Sequence, residues 1–89
     1  MKITFDPQKN AANIANRQLP FAWAEEFEWS SALIKEDTRR DYGEHRYQAL
    51  GSIGERLFML VFTPRRDAFH IISLRKANQR EVRFYEAQI

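Results

Sequence analysis

The hydrophobic pattern of this chain changes from helical spacing to alternation near Ser30, and this change constrains the fold more than any other feature. Four strands are predicted beyond it, over residues 32–37, 45–51, 55–63 and 68–74. The turns between these strands are short, which predicts antiparallel neighbours, because parallel pairing needs a long crossover. The run Leu57–Phe62 is apolar without alternation and therefore predicts a central strand that is covered on both faces.

Two helices are predicted before the strands. Asp6-Pro7 is typical of a helix start, because Asp accepts hydrogen bonds from free amides and Pro is tolerated at the first helical position. This helix should end near Arg17, since Leu19-Pro20 breaks the pattern. A second, shorter helix is predicted over Phe21–Phe27, with its apolar residues on one face.

The two ends of the chain also carry signals of regular structure. Ile3–Phe5 is a candidate for a short strand, and Asn78 followed by Glu81 resembles a capping box that opens a helix ending near Ala87. The predicted fold class is therefore α+β. It has two N-terminal helices, a four-stranded and mainly antiparallel sheet, possibly extended by a short N-terminal strand, and a C-terminal helix.

The length of 89 residues predicts one domain over residues 1–89, without room for a second core. The absence of cysteine excludes disulfides, and two histidines do not suggest a structural zinc site. We predict neither a metal nor a cofactor. No stretch approaches the roughly 20 apolar residues that span a bilayer, and the N-terminus lacks the apolar run of a signal peptide. We therefore expect a cytoplasmic protein without membrane contact.

The charges are unevenly distributed along the chain. Residues 1–38 contain four Lys or Arg against six Asp or Glu, whereas residues 39–89 contain ten against six. Nine of those ten cations are arginine, the residue suited to bidentate phosphate contacts. A polyanionic partner is therefore plausible for the C-terminal half.

The two histidines are the natural candidates for proton transfer near neutral pH. His70 precedes Ile71 inside a predicted strand, which favours a buried, hydrogen-bonded imidazole. His45 follows a turn beside Arg46, where both a functional and a structural role are open. Ser73 and Arg75 should share one face of the last strand. For any single arginine, a solvated surface with ordinary ion pairs is the alternative interpretation.

Several segments together resemble the BrnT family of type II toxin–antitoxin systems, over essentially the whole chain. The segments that carry the resemblance are Phe5–Asn13, Leu19–Phe21, Asp37–Arg39, Tyr42–Arg46 and Ile71–Ala77, followed by Glu81 and Tyr85. The resemblance implies a RelE-like, metal-independent endoribonuclease that blocks translation by cutting RNA. It also implies a BrnA-like antitoxin that neutralises the toxin and carries the DNA-binding element, so that DNA is contacted only indirectly.

The predicted site residues follow from the resemblance and from the charge pattern. The matching positions are Arg39, Arg46, Ser73, Arg75, Lys76, Glu81 and Tyr85. His45 or Lys76 is predicted to move protons, with the choice between them left open. Further RNA contacts are predicted for Arg40, Arg65, Arg66, Arg80 and Arg83. Two alternatives are a catalytically inert RNA-binding module and a domain that serves only as half of a protein complex.

Overall fold

A computed structural model describes residues 2–89 as a five-stranded sheet with helices before and after it. The elements in chain order are strand β1 (Ile3–Phe5), helix α1 (Pro7–Arg17), two 3₁₀ helices (Phe21–Glu26 and Trp29–Ser31), strands β2 (Leu33–Glu36), β3 (Tyr47–Ile53), β4 (Arg56–Arg65) and β5 (Ala68–Lys76), and helix α2 (Gln79–Gln88). The spatial order of the strands is β1-β5-β4-β3-β2. No helix within residues 2–89 is both long and apolar enough to cross a membrane.

The predicted α+β class is confirmed, but the sheet is mixed and has five strands rather than four. Strands β2 to β5 pair antiparallel in chain order, as their short turns predicted. The N-terminal strand β1 is present and pairs with β5 in parallel. Parallel pairing is possible here because α1, the two 3₁₀ helices and strands β2 to β4 lie between β1 and β5 in the chain and provide the long connection that it needs.

The two ends of α1 form as the local sequence predicts. The side chain of Asp6 accepts a hydrogen bond from the backbone N–H of Gln8 at 2.8 Å, and Pro7 takes the first helical position. Gln18 ends the helix in the left-handed region, with φ of 59°, and its N–H donates to the carbonyl of Ile14.

The predicted second helix is a 3₁₀ helix rather than an α-helix. It buries Phe21 and Ala24, and Phe27, which directly follows it, is buried as well. These residues lie three apart, so a helix with three residues per turn directs all of them to one side. An α-helix of 3.6 residues per turn would rotate Phe27 away from the core.

The main core lies between the sheet and the elements that precede β2. Leu60, Ile71 and Leu74 are fully buried there, and the helical side contributes Leu19 and Phe21. We call this side of the sheet the core face. Each such aliphatic or aromatic side chain contributes about 1.5–3 kcal/mol on burial. The core face therefore supplies most of the stability of this small domain.

Strand β4 is central and buried on both faces, which confirms the prediction from its apolar run. Phe58, Leu60 and Phe62 point to the core face, and the alternating residues Met59 and Val61 point to the opposite side, where both are also buried. We call that opposite side the second face. Helix α2 lies over part of it.

A bulge in β5 decides which side chains reach the second face. Val61 pairs with Ser73, but the next residue, Phe62, pairs with Ile71, so one extra residue stands between them in β5. His70 pairs with Thr63 and therefore lies on the second face together with Ser73. Without the extra residue, two positions three apart in a strand would face opposite sides.

The close packing of Gly51 yields a prediction for the core. A Cβ atom at this position would lie 2.6 Å from Cζ of Phe27 and 3.1 Å from Cβ of Ala32. We expect Gly51→Ala to lower the free energy of unfolding by about 1–3 kcal/mol, because the buried ring has to shift. Urea denaturation measures this change. The Phe27→Leu background should remove part of the cost, and equal costs in both backgrounds would contradict the proposed overlap.

Candidate functional site

The second face gathers polar and cationic groups from both ends of the sheet. Strand β5 contributes His70, Ser73 and Arg75, which register with residues of β4 that point away from the core. Arg39 and Arg46 approach from the β2–β3 connection. Because successive side chains of a strand point to opposite faces, polar groups can lie on the second face while the apolar residues between them pack in the core.

Arg75 is held in place by the start of α2. Its two terminal nitrogens each donate to one carboxylate oxygen of Glu81, both at 2.8 Å. Glu81 also accepts from the backbone N–H of Asn78, whose side chain accepts from the N–H of Glu81, so the predicted capping box is confirmed. The hydrogen bonds from Arg75 lower the pKa of Glu81 and raise that of Arg75. The pair is therefore ionised and geometrically fixed.

Arg39 is fixed in the same manner by Asp37. Nε and Nη2 of Arg39 donate to the two oxygens of Asp37, each at 2.8 Å, and the hydroxyl of Tyr42 donates at 3.1 Å. The Asp37 side chain is only 1% exposed, whereas that of Arg39 is 67% exposed. The hydrogen bonds from Arg39 hold the pKa of Asp37 far below its ordinary value. A buried carboxylate thus orients an accessible guanidinium.

The two fixed guanidinium groups lie within electrostatic range of each other. The positive charge of Arg39 opposes the rise in the pKa of Arg75 that Glu81 causes. The structure therefore brings together two predicted site residues that lie 36 positions apart in the sequence. Two oriented guanidinium groups within this range of each other suit contacts with the phosphates of a polyanion.

A third cationic cluster adjoins the first two through Tyr42. The guanidinium of Arg46 lies 4.2 Å from the centre of the Tyr42 ring, and its Nε donates to Glu44 at 3.1 Å. Arg65 donates to the other oxygen of Glu44 at 3.3 Å. Burial raises the pKa of Glu44, but the hydrogen bonds from the two arginines outweigh it and leave the pKa below its ordinary value. Arg40 lies over Tyr42 at 5.7 Å.

His70 is the histidine on the second face. Its Nδ1 lies 2.9 Å from Oγ1 of Thr4, so the predicted hydrogen-bonded imidazole is confirmed, although the residue is only partly buried. Burial lowers the pKa of His70, and the charge of Arg65 lowers it further. The imidazole is therefore neutral around pH 7. Sequence analysis interpreted His70 as a buried, hydrogen-bonded histidine and did not include it among the site residues. Simple alternation would also put it on the face opposite Ser73.

Other predicted site residues lie away from this group. His45 pairs with Glu36 at 2.8 Å, and its side chain is 78% exposed. Lys76 pairs in register with Phe58, which directs it to the core-face side at the end of β5. The Tyr85 hydroxyl donates to the carbonyl of Ser31 at 3.0 Å and so anchors α2. The exposed arginines at the periphery are Arg66 in the β4–β5 turn and Arg80 and Arg83 on α2. The roles of all these residues remain predictions.

On the second face the carboxylates of Asp37, Glu44 and Glu81 pair with arginines, and the imidazole of His70 pairs with the hydroxyl of Thr4. Among residues 2–89, no group of three or more His, Asp or Glu side chains is arranged to hold a metal ion. The site is thus built from guanidinium groups, one imidazole and hydroxyls. These groups can bind an anion and exchange a proton.

The pairing of Asp37 with Arg39 predicts acid-dependent stability. The folded state holds its pKa below 3.8, so the unfolded chain binds the proton first as the pH falls. The stabilisation is therefore present above pH 3.8 and is lost on acidification. At pH 7 we expect Asp37→Asn to lower the free energy of unfolding by about 1–3 kcal/mol, with the difference from wild type shrinking toward pH 3.

Urea titrations at several pH values would measure this stability profile. Asp67→Asn is the matched control, since this exposed turn residue forms no ion pair among residues 2–89. It should stay within about 0.5 kcal/mol of wild type. A loss for Asp37→Asn that is the same at pH 7 and pH 3 would contradict the argument from ionisation.

Comparison with known proteins places this geometry in a family. Residues 5–81 match the family model described as the ribonuclease toxin BrnT of type II toxin–antitoxin systems. The crystal structure of the Brucella abortus ribonuclease toxin BrnT is similar, with a TM-score of 0.69 and 35% sequence identity. The match covers 89% of this chain and 99% of that one. No curated protein sequence matches. The chain belongs to the BrnT family of ribonuclease toxins of type II toxin–antitoxin systems.

Proposed function

We propose that this chain is a metal-independent endoribonuclease of RelE-like type that cuts RNA in the cytoplasm and so blocks translation. A BrnA-like antitoxin neutralises it and provides the contact with DNA. The family match supports the ribonuclease class and the existence of an antitoxin partner. The single observation that carries the chemistry is the pair of guanidinium groups, Arg39 and Arg75, that Asp37 and Glu81 orient, on a sheet whose second face also presents His70.

The two arginines bind the phosphate that is cut. Nη1 of Arg39 and Nε of Arg75 form no hydrogen bond with any partner among residues 2–89, and both groups carry N–H donors. Asp37 and Glu81 hold the guanidinium groups in orientation, so no reorganisation is needed when negative charge develops. Since Arg46 and Arg65 share Glu44, four arginines face three carboxylates, and the face keeps a positive balance.

His70 takes the proton from the attacking 2′ hydroxyl. In the tautomer whose Nδ1–H donates to Oγ1 of Thr4, the other ring nitrogen, Nε2, has the free lone pair that a base needs. The 2′ oxygen attacks the adjacent phosphorus, the bond to the 5′ oxygen breaks, and that oxygen takes a proton from water as it leaves. The resulting hydroxide accepts the proton that His70 holds. The products are a 2′,3′-cyclic phosphate and a 5′ hydroxyl. Arg39 and Arg75 stabilise the additional charge on the pentavalent phosphorus.

Cleavage of RNA in excess EDTA tests this proposal. We expect purified wild-type protein to produce fragments with cyclic phosphate and 5′ hydroxyl ends, which enzymatic end-labelling distinguishes from 5′ phosphate ends. Products with 5′ phosphates, or cleavage that EDTA abolishes, would contradict the mechanism. Salt-dependent RNA binding without cleavage would instead identify an inert binding module. Antitoxin binding without RNA affinity at low salt would identify a domain that acts only in a protein complex.

A further inference from the structure

A groove of about 410 Å³ separates helix α2 from the second face of the sheet. Its apolar lining comes from Leu33, Leu50, Met59 and Phe84, which belong to four different elements. We propose that this groove receives an extended segment of the antitoxin, in which apolar side chains alternate with or adjoin acidic ones. The proposal rests on the proposed function, because it assumes that the antitoxin inhibits by covering the second face.

Helix α2 leaves the groove open because it packs weakly on the sheet. None of its residues is buried, and Phe84 is 56% exposed although it points toward the groove. The helix is attached by the Arg75–Glu81 pair and by the hydrogen bond from Tyr85 to Ser31. Exposed apolar side chains along a groove are typical of a surface that a partner covers.

The adjoining edge of the sheet favours an extended occupant. Strand β2 pairs with β3 on one side and stands at the end of the strand order, so its other side is an open edge. Three of its four residues are exposed, including Ile34 at 49%. An added strand would satisfy the open backbone groups and direct alternate side chains into the groove.

The charges that line the groove specify an acidic segment. Lys35 and Arg80 form no ion pair with any residue among 2–89, whereas the lining carboxylate of Glu81 is already paired with Arg75. The free charges in the groove are therefore positive. A second copy of this chain is disfavoured as the occupant, because symmetrical pairing through this face would bring the same cations together.

A segment bound in the groove would lie beside the proposed catalytic groups. Met59, which lines the groove, pairs in register with Arg75, and Glu81 both lines the groove and orients Arg75. An acidic segment seated there lies beside the guanidinium groups that bind phosphate. The antitoxin would thus compete with RNA for the same charges while its apolar residues supply affinity.

Charge reversal on the groove tests this proposal. The proposed BrnA-like antitoxin would be titrated into the purified chain by calorimetry, with Phe84→Glu and Lys35→Glu as variants, because strand register places Lys35 on the second face. We expect each variant to weaken binding roughly tenfold or more, because each buries a carboxylate against an acidic, apolar partner. The matched control is Ile14→Glu, since Ile14 is 41% exposed on α1, beyond the core face. The Ile14→Glu protein should bind the antitoxin as tightly as wild type does.

Each outcome separates the groove from the proposed reaction. Variants that bind the antitoxin as tightly as wild type would overturn the proposal, whether or not the protein cuts RNA. A weakening by Ile14→Glu equal to that by Lys35→Glu would overturn it as well. Light scattering compares the mass of each variant with that of wild type in the absence of antitoxin. If a variant differs from wild type in mass but not in antitoxin affinity, the groove is assigned to self-association instead. Phe84→Glu should keep the wild-type cleavage rate, which is measured separately.

Discussion

Replacing Arg75 by alanine is expected to lower the rate of RNA cleavage by roughly 10²–10³-fold, the usual effect of losing one preorganised donor to a developing negative charge. Glu81 orients the guanidinium of Arg75 on the second face. The charge of Arg39 acts on the same group. Arg75→Lys keeps the charge but loses the bidentate contact with Glu81, so it should recover only part of the activity. Single-turnover cleavage of a labelled RNA measures both variants.

The control for Arg75 is a cation that lies elsewhere on the sheet. Arg56 pairs with Ile53 at the start of β4, and alternation with Phe58 directs it to the core-face side. It is exposed and belongs to no ion pair among residues 2–89. Arg56→Ala removes the same charge and should retain cleavage within about twofold. Undiminished cleavage by a folded Arg75→Ala protein would contradict the assignment. Equal losses in both variants would show that only overall charge matters, and circular dichroism checks that the variants are folded.

Replacing His70 by glutamine is expected to lower the cleavage rate by roughly 10²–10⁴-fold and to change its dependence on pH. Burial lowers the pKa of His70 below its ordinary value of 6.5, so the neutral base is present above the lowered pKa and is lost as the pH falls through it. Wild-type activity should therefore rise with pH below 6.5 and then level off. The variant should lack this rise.

A comparison of the two histidines decides between them. His45 pairs with Glu36 away from the second face, so His45→Gln should cost much less activity than His70→Gln. The experiment measures kcat/KM for both variants between about pH 5 and 8, the range in which histidine titrates. A larger loss in His45→Gln would assign proton transfer to His45. An unchanged pH profile in His70→Gln would return the role to His45 or Lys76, the two residues between which sequence analysis left the choice open.

The sequence predicted local structure well wherever the signal is carried by neighbouring residues. The Asp6-Pro7 helix start and the Asn78–Glu81 capping box both form as expected, because a cap needs only a side chain and an amide a few residues apart. The apolar run of β4 correctly indicated a central strand, since burial on both faces excludes polar residues from either side.

The prediction was less accurate where distant segments determine the outcome. The residues of Phe21–Glu26 fit either an α-helix or a 3₁₀ helix, and the core that receives the aromatic rings favours three residues per turn. The pairing of β1 with β5 joins residues that are more than 60 positions apart, and no local pattern encodes such a partner. The fifth strand was therefore only a possibility from the sequence.

The sequence by itself determined the fold class, the positions of the strands and the arginine-rich character of the C-terminal half. It also carried the family motifs, which the comparisons confirm. Only the tertiary structure decided which of these residues share a face. The bulge beside Ile72 moves His70 to the side of Ser73 and Arg75, and strand register leaves Lys76 on the other side. One extra residue reverses the direction of every side chain beyond it, so the membership of the site depends on pairing between strands rather than on composition.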